Sequence, residues 1–320
     1  MTAKKSDPTP ACASATLLNG KHDIGAIVDR LHACNIRNGA VRNAARKPLP
    51  SREEIISIVE TLRSVVFPRC FGPQHVEAAS LKFHLGSMID KIYHTLKEQI
   101  HRGLCFECDG TRESCTQCEV DAEEAAGRFI ERIPEIAEMM NEDVQATFVG
   151  DPAAKSVDEI IFCYPGVTAT LAYRIAHELY ALSSPIIARI ISEYAHTLTG
   201  IDIHPGARIG HKFMIDHGTG VVIGETTTIG ANVRIYQGVT LGAKSFPLDA
   251  DGNPIKGVKR HPDIQDDVII YSGATILGPV SIGKGAVIGG NVWLTESVPA
   301  GTRIVQGRVS KEHFLDGAGI

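Results

Sequence analysis

Large rings are scarce in this chain. Phe, Trp and Tyr make up 6% of its 320 residues, with a single tryptophan, while glycine occurs 31 times. A chain poor in rings and rich in glycine points to thin, repeated layers. Basic excess is also missing. There are 32 Lys and Arg against 37 Asp and Glu, a formal net charge of -5, which argues against the concentrated basic face that nucleic-acid binding needs. Long apolar runs are absent too. The stretches near 159–173 and 184–192 are cut by Arg174, His177, Glu178 and Arg189. No window reaches the roughly 18 uncharged apolar residues of a membrane span. The first twenty residues hold no continuous apolar segment of the secretory kind, so a cytoplasmic location is expected. In that compartment the eight cysteines read as thiols or metal ligands rather than disulfides. The length suits about two domains with a real core.

A period of six begins after residue 200. Ile203, Ile209 and Ile215 are six apart, and after a two-residue slip at Gly218–Gly220 the series resumes as Ile223, Ile229, Ile235 and Leu241. It returns, beyond an interruption, as Ile264, Ile270, Ile276, Ile282, Ile288 and Leu294. A smaller or β-branched residue stands two places earlier in most units, as at Ala207, Val221, Val233, Val268, Ala274 and Ala286. Side chains at i and i−2 of a strand point the same way. Each hexad is therefore a short strand plus a turn, with glycine often supplying the corner. Three hexads close one triangular coil of 18 residues, and stacked coils bury an aliphatic column. An alternating β-sandwich would not hold a period of six over six consecutive units.

The chain before 200 has helical spacing. Residues 1–48, rich in Ala, Asn, Arg and Pro, are expected to be loose. Ser51 and Glu54 form a capping box ahead of Ile55, Ile58, Val59 and Leu62. Helices are expected over 75–102, 120–132 and 134–148, after a cap at Ser156, and from Pro165 and Pro185, the last ending near Gly200. The expected organisation is a loose segment 1–48, a helical domain 49–200, a β-helix 201–308 with an insertion at 243–261, and a tail 309–320.

Two polar constellations interrupt the solenoid. Asp202 and His217 are 15 residues apart, which puts them on neighbouring coils near one corner. A carboxylate there can hold one imidazole nitrogen and leave the other as a base. A solvated corner histidine with a capping aspartate is the plainer alternative. The second constellation is the insertion, Ala243 to His261, a long loop of the kind that carries function. It ends in Lys259-Arg260-His261-Pro262, suited to a carboxylate. Its Asp249-Ala250-Asp251-Gly252-Asn253 run resembles the start of a calcium loop, but the twelfth position is Arg260 rather than Glu, so it reads as a turn. A third group, Cys105, Cys108, Cys115 and Cys118, has the spacing of a four-thiolate zinc site pinning a loop. Exposed thiols are the alternative reading.

From Gly150 to about Val298 the sequence resembles the serine O-acetyltransferases of the hexapeptide-repeat acyltransferase superfamily. The resemblance rests on Gly150-Asp151-Pro152-Ala153, Tyr173-Arg174-Ile175-Ala176-His177, Asp202-Ile203-His204-Pro205-Gly206, Asp216-His217-Gly218-Thr219-Gly220, Gly224-Glu225-Thr226, Gln237-Gly238-Val239-Thr240-Leu241-Gly242 and Arg260-His261-Pro262. It implies an α+β chain, an N-terminal helical domain followed by a left-handed parallel β-helix. It also implies transfer of the acetyl group of acetyl-CoA to the hydroxyl of L-serine, in cysteine biosynthesis, at a site between subunits of a trimer or dimer of trimers. On that pattern His217 is the base and Asp202 its orienting partner. Asp151 and Asp216 face the serine ammonium, and Arg260 and His261 its carboxylate. Gly242, Ala243, Ser272 and Gly290 lie along coenzyme A, with backbone N–H groups near Gly242-Ala243 facing the oxyanion. The C-terminal Ile320 would enter O-acetylserine sulfhydrylase as a partner. Two other functions fit the fold: an acetyltransferase with a different acceptor, and a trimeric metalloenzyme using His204, His211 or His217.

Overall fold

The computed structural model describes residues 23–37, 47–73, 77–108 and 116–307. Cys115, Ile320 and the tail lie outside them. Two compact units are present, residues 1–47 and 48–320. In the first, the segment expected to be loose contains a helix, α1 (Ile24–Arg37), none of whose residues is buried. Ile24, Ile27, Val28 and Leu31 recur at helical spacing, a pattern masked by the polar composition around it.

The second unit carries seven helices among the described residues. They are α2 (Arg52–Val66), α3 (Pro68–Phe71), α4 (Ala78–Glu107), α5 (Thr116–Gly150), α6 (Val157–Cys163), α7 (Pro165–Ala181) and α8 (Pro185–Thr199). The side chain of Ser51 caps α2 by accepting from the Glu54 N–H at 3.3 Å, and Ser156 caps α6 through the Glu159 N–H at 3.1 Å. Pro134 does not divide the region as the sequence spacing led us to expect; α5 runs through it. Proline forfeits one helical hydrogen bond, but Phe129, Ile133, Ile136 and Met140 are buried on both sides of it. Their packing keeps one axis. The helical core gathers Leu62, Leu96, Phe129, Met140, Ile175, Leu179 and Ile191.

Past Gly200, whose φ of +69° ends α8, the chain winds into a left-handed parallel β-helix. Its first face stacks β1 (Asp202–Ile203), β4 (Val222–Ile223), β7 (Thr240–Gly242), β10 (Thr275–Leu277) and β13 (Trp293–Leu294). The second stacks β2 (Arg208–Ile209), β5 (Thr228–Ile229), β8 (Asp263–Ile264) and β11 (Ser281–Ile282). The third stacks β3 (Met214–Asp216), β6 (Arg234–Tyr236), β9 (Ile269–Ile270), β12 (Val287–Ile288) and β14 (Arg303–Ile304). The register aligns the six-residue series as ladders. Ile203 pairs with Ile223 and Leu241, Ile209 with Ile229 and Ile264, and Ile215 with Ile235 and Ile270. These ladders are the second core.

Helices and solenoid are joined by a buried polar knot. Arg174 and Asp143 are each 3% exposed, and the guanidinium Nε lies 2.7 Å from the carboxylate. The same arginine donates to the Gly210 carbonyl at 2.9 Å, and the Phe213 N–H donates to Asp143 at 2.8 Å. The Tyr173 hydroxyl donates to the Ala207 carbonyl at 2.8 Å. A buried ion pair of this kind is costly unless its remaining donors are filled, and here they are. The Tyr-Arg-Ile-Ala-His motif on α7 thus docks the helices onto the first coil.

Candidate functional site

The slip in the hexad period has a definite geometry. Asp202 pairs with Val222, twenty residues on, whereas Val222 pairs with Thr240, eighteen on. The two extra residues fall between the third face and the first. At that corner Gly220, Gly238, Gly273 and Asn291 all have left-handed backbones in successive coils, and His217 (φ +58°) and Gly218 (φ +86°) add two more. A non-glycine residue at positive φ is uncommon and strained. A Cβ on Gly218 would come within 2.4 Å of Ile201, so only glycine passes there. The bulge lifts the His217 side chain to 71% exposure.

Acids gather around it from two elements. Asp216, at the end of β3, lies 3.8 Å from His217 Nε2. Asp151, in the turn after α5, accepts from the Tyr164 hydroxyl at 2.5 Å and from the Ala153 N–H at 2.8 Å. The Tyr164 bond, then the Ala153 bond, hold the Asp151 carboxyl below the usual carboxylate range, with the nearby His217 adding to the shift. The Tyr164 hydroxyl is pushed up to about 12 by the bond to Asp151, by burial and by Asp151, Glu159 and Asp216 around it. Tyr164 had no place in the sequence reading; Pro165 marked it only as the residue before a helix. Asp202, on β1, makes no hydrogen bond to His217.

The predicted carboxylate-binding pair sits on a different corner, between the first face and the second. Arg260 Nη2 donates to Glu225 Oε2 at 2.5 Å, and the Tyr180 hydroxyl from α7 donates to Glu225 Oε1 at 3.2 Å. Burial acts to raise the Glu225 carboxyl, but its hydrogen bond and charge interaction with Arg260 outweigh this and lower it. His261 is 7% exposed. Its Nδ1 accepts from the Thr226 N–H at 3.1 Å, and the Thr226 hydroxyl accepts from the N–H groups of Arg260 and His261. Burial first, then the charge of Arg260, push the His261 imidazole down to about 4. It is therefore neutral near pH 7, with its proton on Nε2. His204 is lowered likewise by burial and by Arg189, and its Nδ1 accepts from the Gly206 N–H at 3.0 Å. Glu225, Thr226 and Tyr180 are the residues that the sequence reading left without roles. The Gly224-Glu225-Thr226 motif was the available signal.

The small residues divide in the same way. Gly242 closes β7 and Ala243 opens the insertion at the Arg260 corner, whereas Ser272 and Gly290 lie on the His217 corner in adjacent coils. A Cβ on Gly290 would stand 3.1 Å from the Ser272 carbonyl oxygen. The insertion itself is exposed and carries one antiparallel bridge, Leu248 to Pro254; Asp249 accepts from the N–H groups of Asp251 and Asn253, closing a turn.

Metal ligation is not assembled. Among the described residues no group of three or more His, Cys, Asp or Glu side chains is arranged so that it could hold a metal ion. His211 is bonded to Glu142 at 2.8 Å, away from His204 and His217. Cys105 and Cys108 are thiols at the end of α4, while Cys118 is disulfide-bonded and in that state has no thiolate to give a zinc ion. The expectation of eight reduced cysteines is corrected at that position.

Known proteins resemble the chain along both parts. The model of the bacterial transferase hexapeptide (six repeats) matches residues 261–296, and that of the hexapeptide repeat of succinyl-transferase matches 220–246. The plasmid-borne serine acetyltransferase of Synechococcus elongatus is 52% identical over 276 residues, 85% of this chain and 86% of that protein. The crystal structure of Entamoeba histolytica serine acetyltransferase 1 in complex with L-cysteine superposes with a TM-score of 0.69 at 33% identity, covering 88% of this chain and 97% of the other. That of Neisseria gonorrhoeae serine acetyltransferase in complex with serine gives 0.52 at 27% identity, over 79% and 97%.

Proposed function

The chain belongs to the serine acetyltransferase family, and from that premise we propose that its active site is completed by two subunits, the His217 corner of one facing the Arg260 corner of the next. The reaction moves the acetyl group of acetyl-CoA to the hydroxyl of L-serine, giving O-acetyl-L-serine and CoA, the entry to cysteine synthesis. The observation that carries the two-subunit reading is the topology. His217, Asp216 and Asp151 occupy one edge of the first face, Arg260 and His261 the other edge, and the width of a packed face separates them within one chain.

In this reading the serine ammonium sits between Asp151 and Asp216. Its carboxylate meets the guanidinium of Arg260 and the Nε2–H of His261. Glu225 fixes the Arg260 fork, whose five donors exceed its bonds to Glu225 and Val258. His217 takes the proton of the serine hydroxyl as its oxygen attacks the thioester carbonyl, which general-base catalysis requires of so weak a nucleophile. Asp202 steadies the imidazolium. Backbone N–H groups near Gly242-Ala243 meet the oxyanion. Collapse of the tetrahedral adduct breaks the carbon–sulfur bond, and the departing thiolate takes the proton back from His217. Coenzyme A runs between Ser272 and Gly290 of one subunit and Gly242 and Ala243 of its neighbour.

A mixing experiment tests the site. His217→Ala and Arg260→Ala chains should each be strongly impaired alone. Mixed by co-expression, they regain activity wherever an intact His217 corner meets an intact Arg260 corner. Activity that stays absent in mixed oligomers refutes the shared site. The assembly is a trimer or a dimer of trimers, to be weighed by sedimentation. Docking of Ile320 into O-acetylserine sulfhydrylase belongs to the same proposal; deleting that residue should abolish binding in a calorimetric titration and leave acetyl transfer unchanged. Zinc on the reduced cysteine cluster is tested by elemental analysis under reductant, and the cytoplasmic location by fractionation. No described helix is long and apolar enough to cross a membrane.

A further inference from the structure

In a chain so poor in rings, two tyrosines stack on the outside of the solenoid. The Tyr236 and Tyr271 rings lie 5.1 Å apart and within 10° of parallel. Tyr236 ends β6 and is paired in register with Asp216, and Tyr271 follows Ile270, the partner of Ile235. Asp216, Tyr236 and Tyr271 therefore form one outward ladder along the solenoid axis, each step about 4.8 Å. The inward neighbours Ile235 and Ile270 are fully buried, so the aliphatic column is complete without the rings. Tyr271 remains 41% exposed. Beside the ladder, the corner that bears His217 carries the small residues Gly238, then Ser272 and Gly273, then Gly290, with Gln237 and Asn291 as its larger members. A two-ring wall thus flanks a shallow floor that starts at the proposed base.

We propose that the Tyr236–Tyr271 stack is the side wall of the donor channel and positions the pantetheine arm of acetyl-CoA. The proposal rests on the reading above that the donor lies along this corner. With the acetyl carbon beside His217, the first two coils span only about 10 Å. That distance is occupied by the arm, an extended chain with two amides and a carbon bearing two methyl groups, and not by the nucleotide, which comes later. The ring faces offer the arm apolar contact, and the phenol groups can bond its amides.

The test compares donors. The Tyr236→Ala/Tyr271→Ala double variant should raise KM for acetyl-CoA about tenfold. The same factor should appear with S-acetylpantetheine, which keeps the arm and lacks the nucleotide. KM for serine, turnover at saturating donor and the sedimentation coefficient should stay at wild-type values, and Tyr236→Phe/Tyr271→Phe should recover most of the donor affinity. Ser272→Leu, which crowds the floor of the same corner, serves as the control on the underlying reading. If Ser272→Leu weakens the donor and the alanine variant does not, the tyrosine wall is refuted while the donor corner stands. If neither changes donor KM, the corner is misassigned and the proposal falls with it. A loss that vanishes with S-acetylpantetheine moves the contact to the nucleotide and overturns the assignment. So does a shift in serine KM or in oligomer size.

Discussion

At the corner between the third face and the first, His217 stands 71% exposed on a left-handed backbone, beside Asp216 at the end of β3. At the corner between the first face and the second, His261 is 7% exposed, pinned by Thr226 and pressed against Gly224. Both positions are histidines of the same solenoid, yet they differ in nearly every physical respect. A group that must accept a proton needs reach and access to the incoming hydroxyl. A group that must hold a carboxylate needs a fixed donor and a fixed protonation state. Burial supplies both of the latter, and the two-residue bulge supplies the former.

Four experiments break or sharpen this contrast. The largest effect is expected at the exposed corner, where His217→Ala should lower kcat about 10²–10⁴-fold with an unchanged melting temperature, since the side chain packs on little. A variant within about threefold of wild type would remove the base assignment. At the buried corner the effect should appear in stability and follow pH. The unfolded His261 takes up a proton near its ordinary value, while the folded one stays neutral down to about 4. Its contribution is therefore complete above the unfolded pKa of about 6.5, and it is lost as pH falls through the window to about 4. The loss amounts to at most about 3 kcal/mol, and urea unfolding of wild type and His261→Gln across that range measures it. A slope unchanged in the variant contradicts the buried neutral ring.

Gly224→Ala comes next. Its Cβ would stand 2.1 Å from the His261 ring, so the ring must move, at about 1–3 kcal/mol of stability, with a higher KM for serine and unchanged turnover. The smallest effect is predicted for Tyr164→Phe. Loss of the bond that holds Asp151 down should raise serine KM about threefold; a changed kcat instead would place Tyr164 in the chemical step.

Much of the fold was legible because its rule is local. The hexads from Ile203 to Leu294 place the inward residues of the ladders as far as β13, leaving out Ile304 of β14, and the caps at Ser51 and Ser156 mark their helices. The break expected at Pro134 failed because packing on both sides of the proline outweighs one lost hydrogen bond. The helix α1 was hidden by composition. For the candidate site, His217, Asp202, Asp151, Asp216, Arg260 and His261 were named from motifs, but their division between two corners was not seen. Nor was Tyr164, Glu225 or Thr226 given a role, since each acts by holding another residue distant in the chain.

The hexapeptide period by itself determined the solenoid, its aliphatic column and the place of its irregularities, because a strand of two or three residues followed by a turn is specified within six positions. The tertiary structure alone decided which histidine is exposed and which is buried. It set the side of the prism each acid faces and the phenol that clamps Asp151. Those outcomes depend on coil register and on helices docked through Arg174 and Asp143, contacts between residues far apart in sequence for which no local spacing carries a signal.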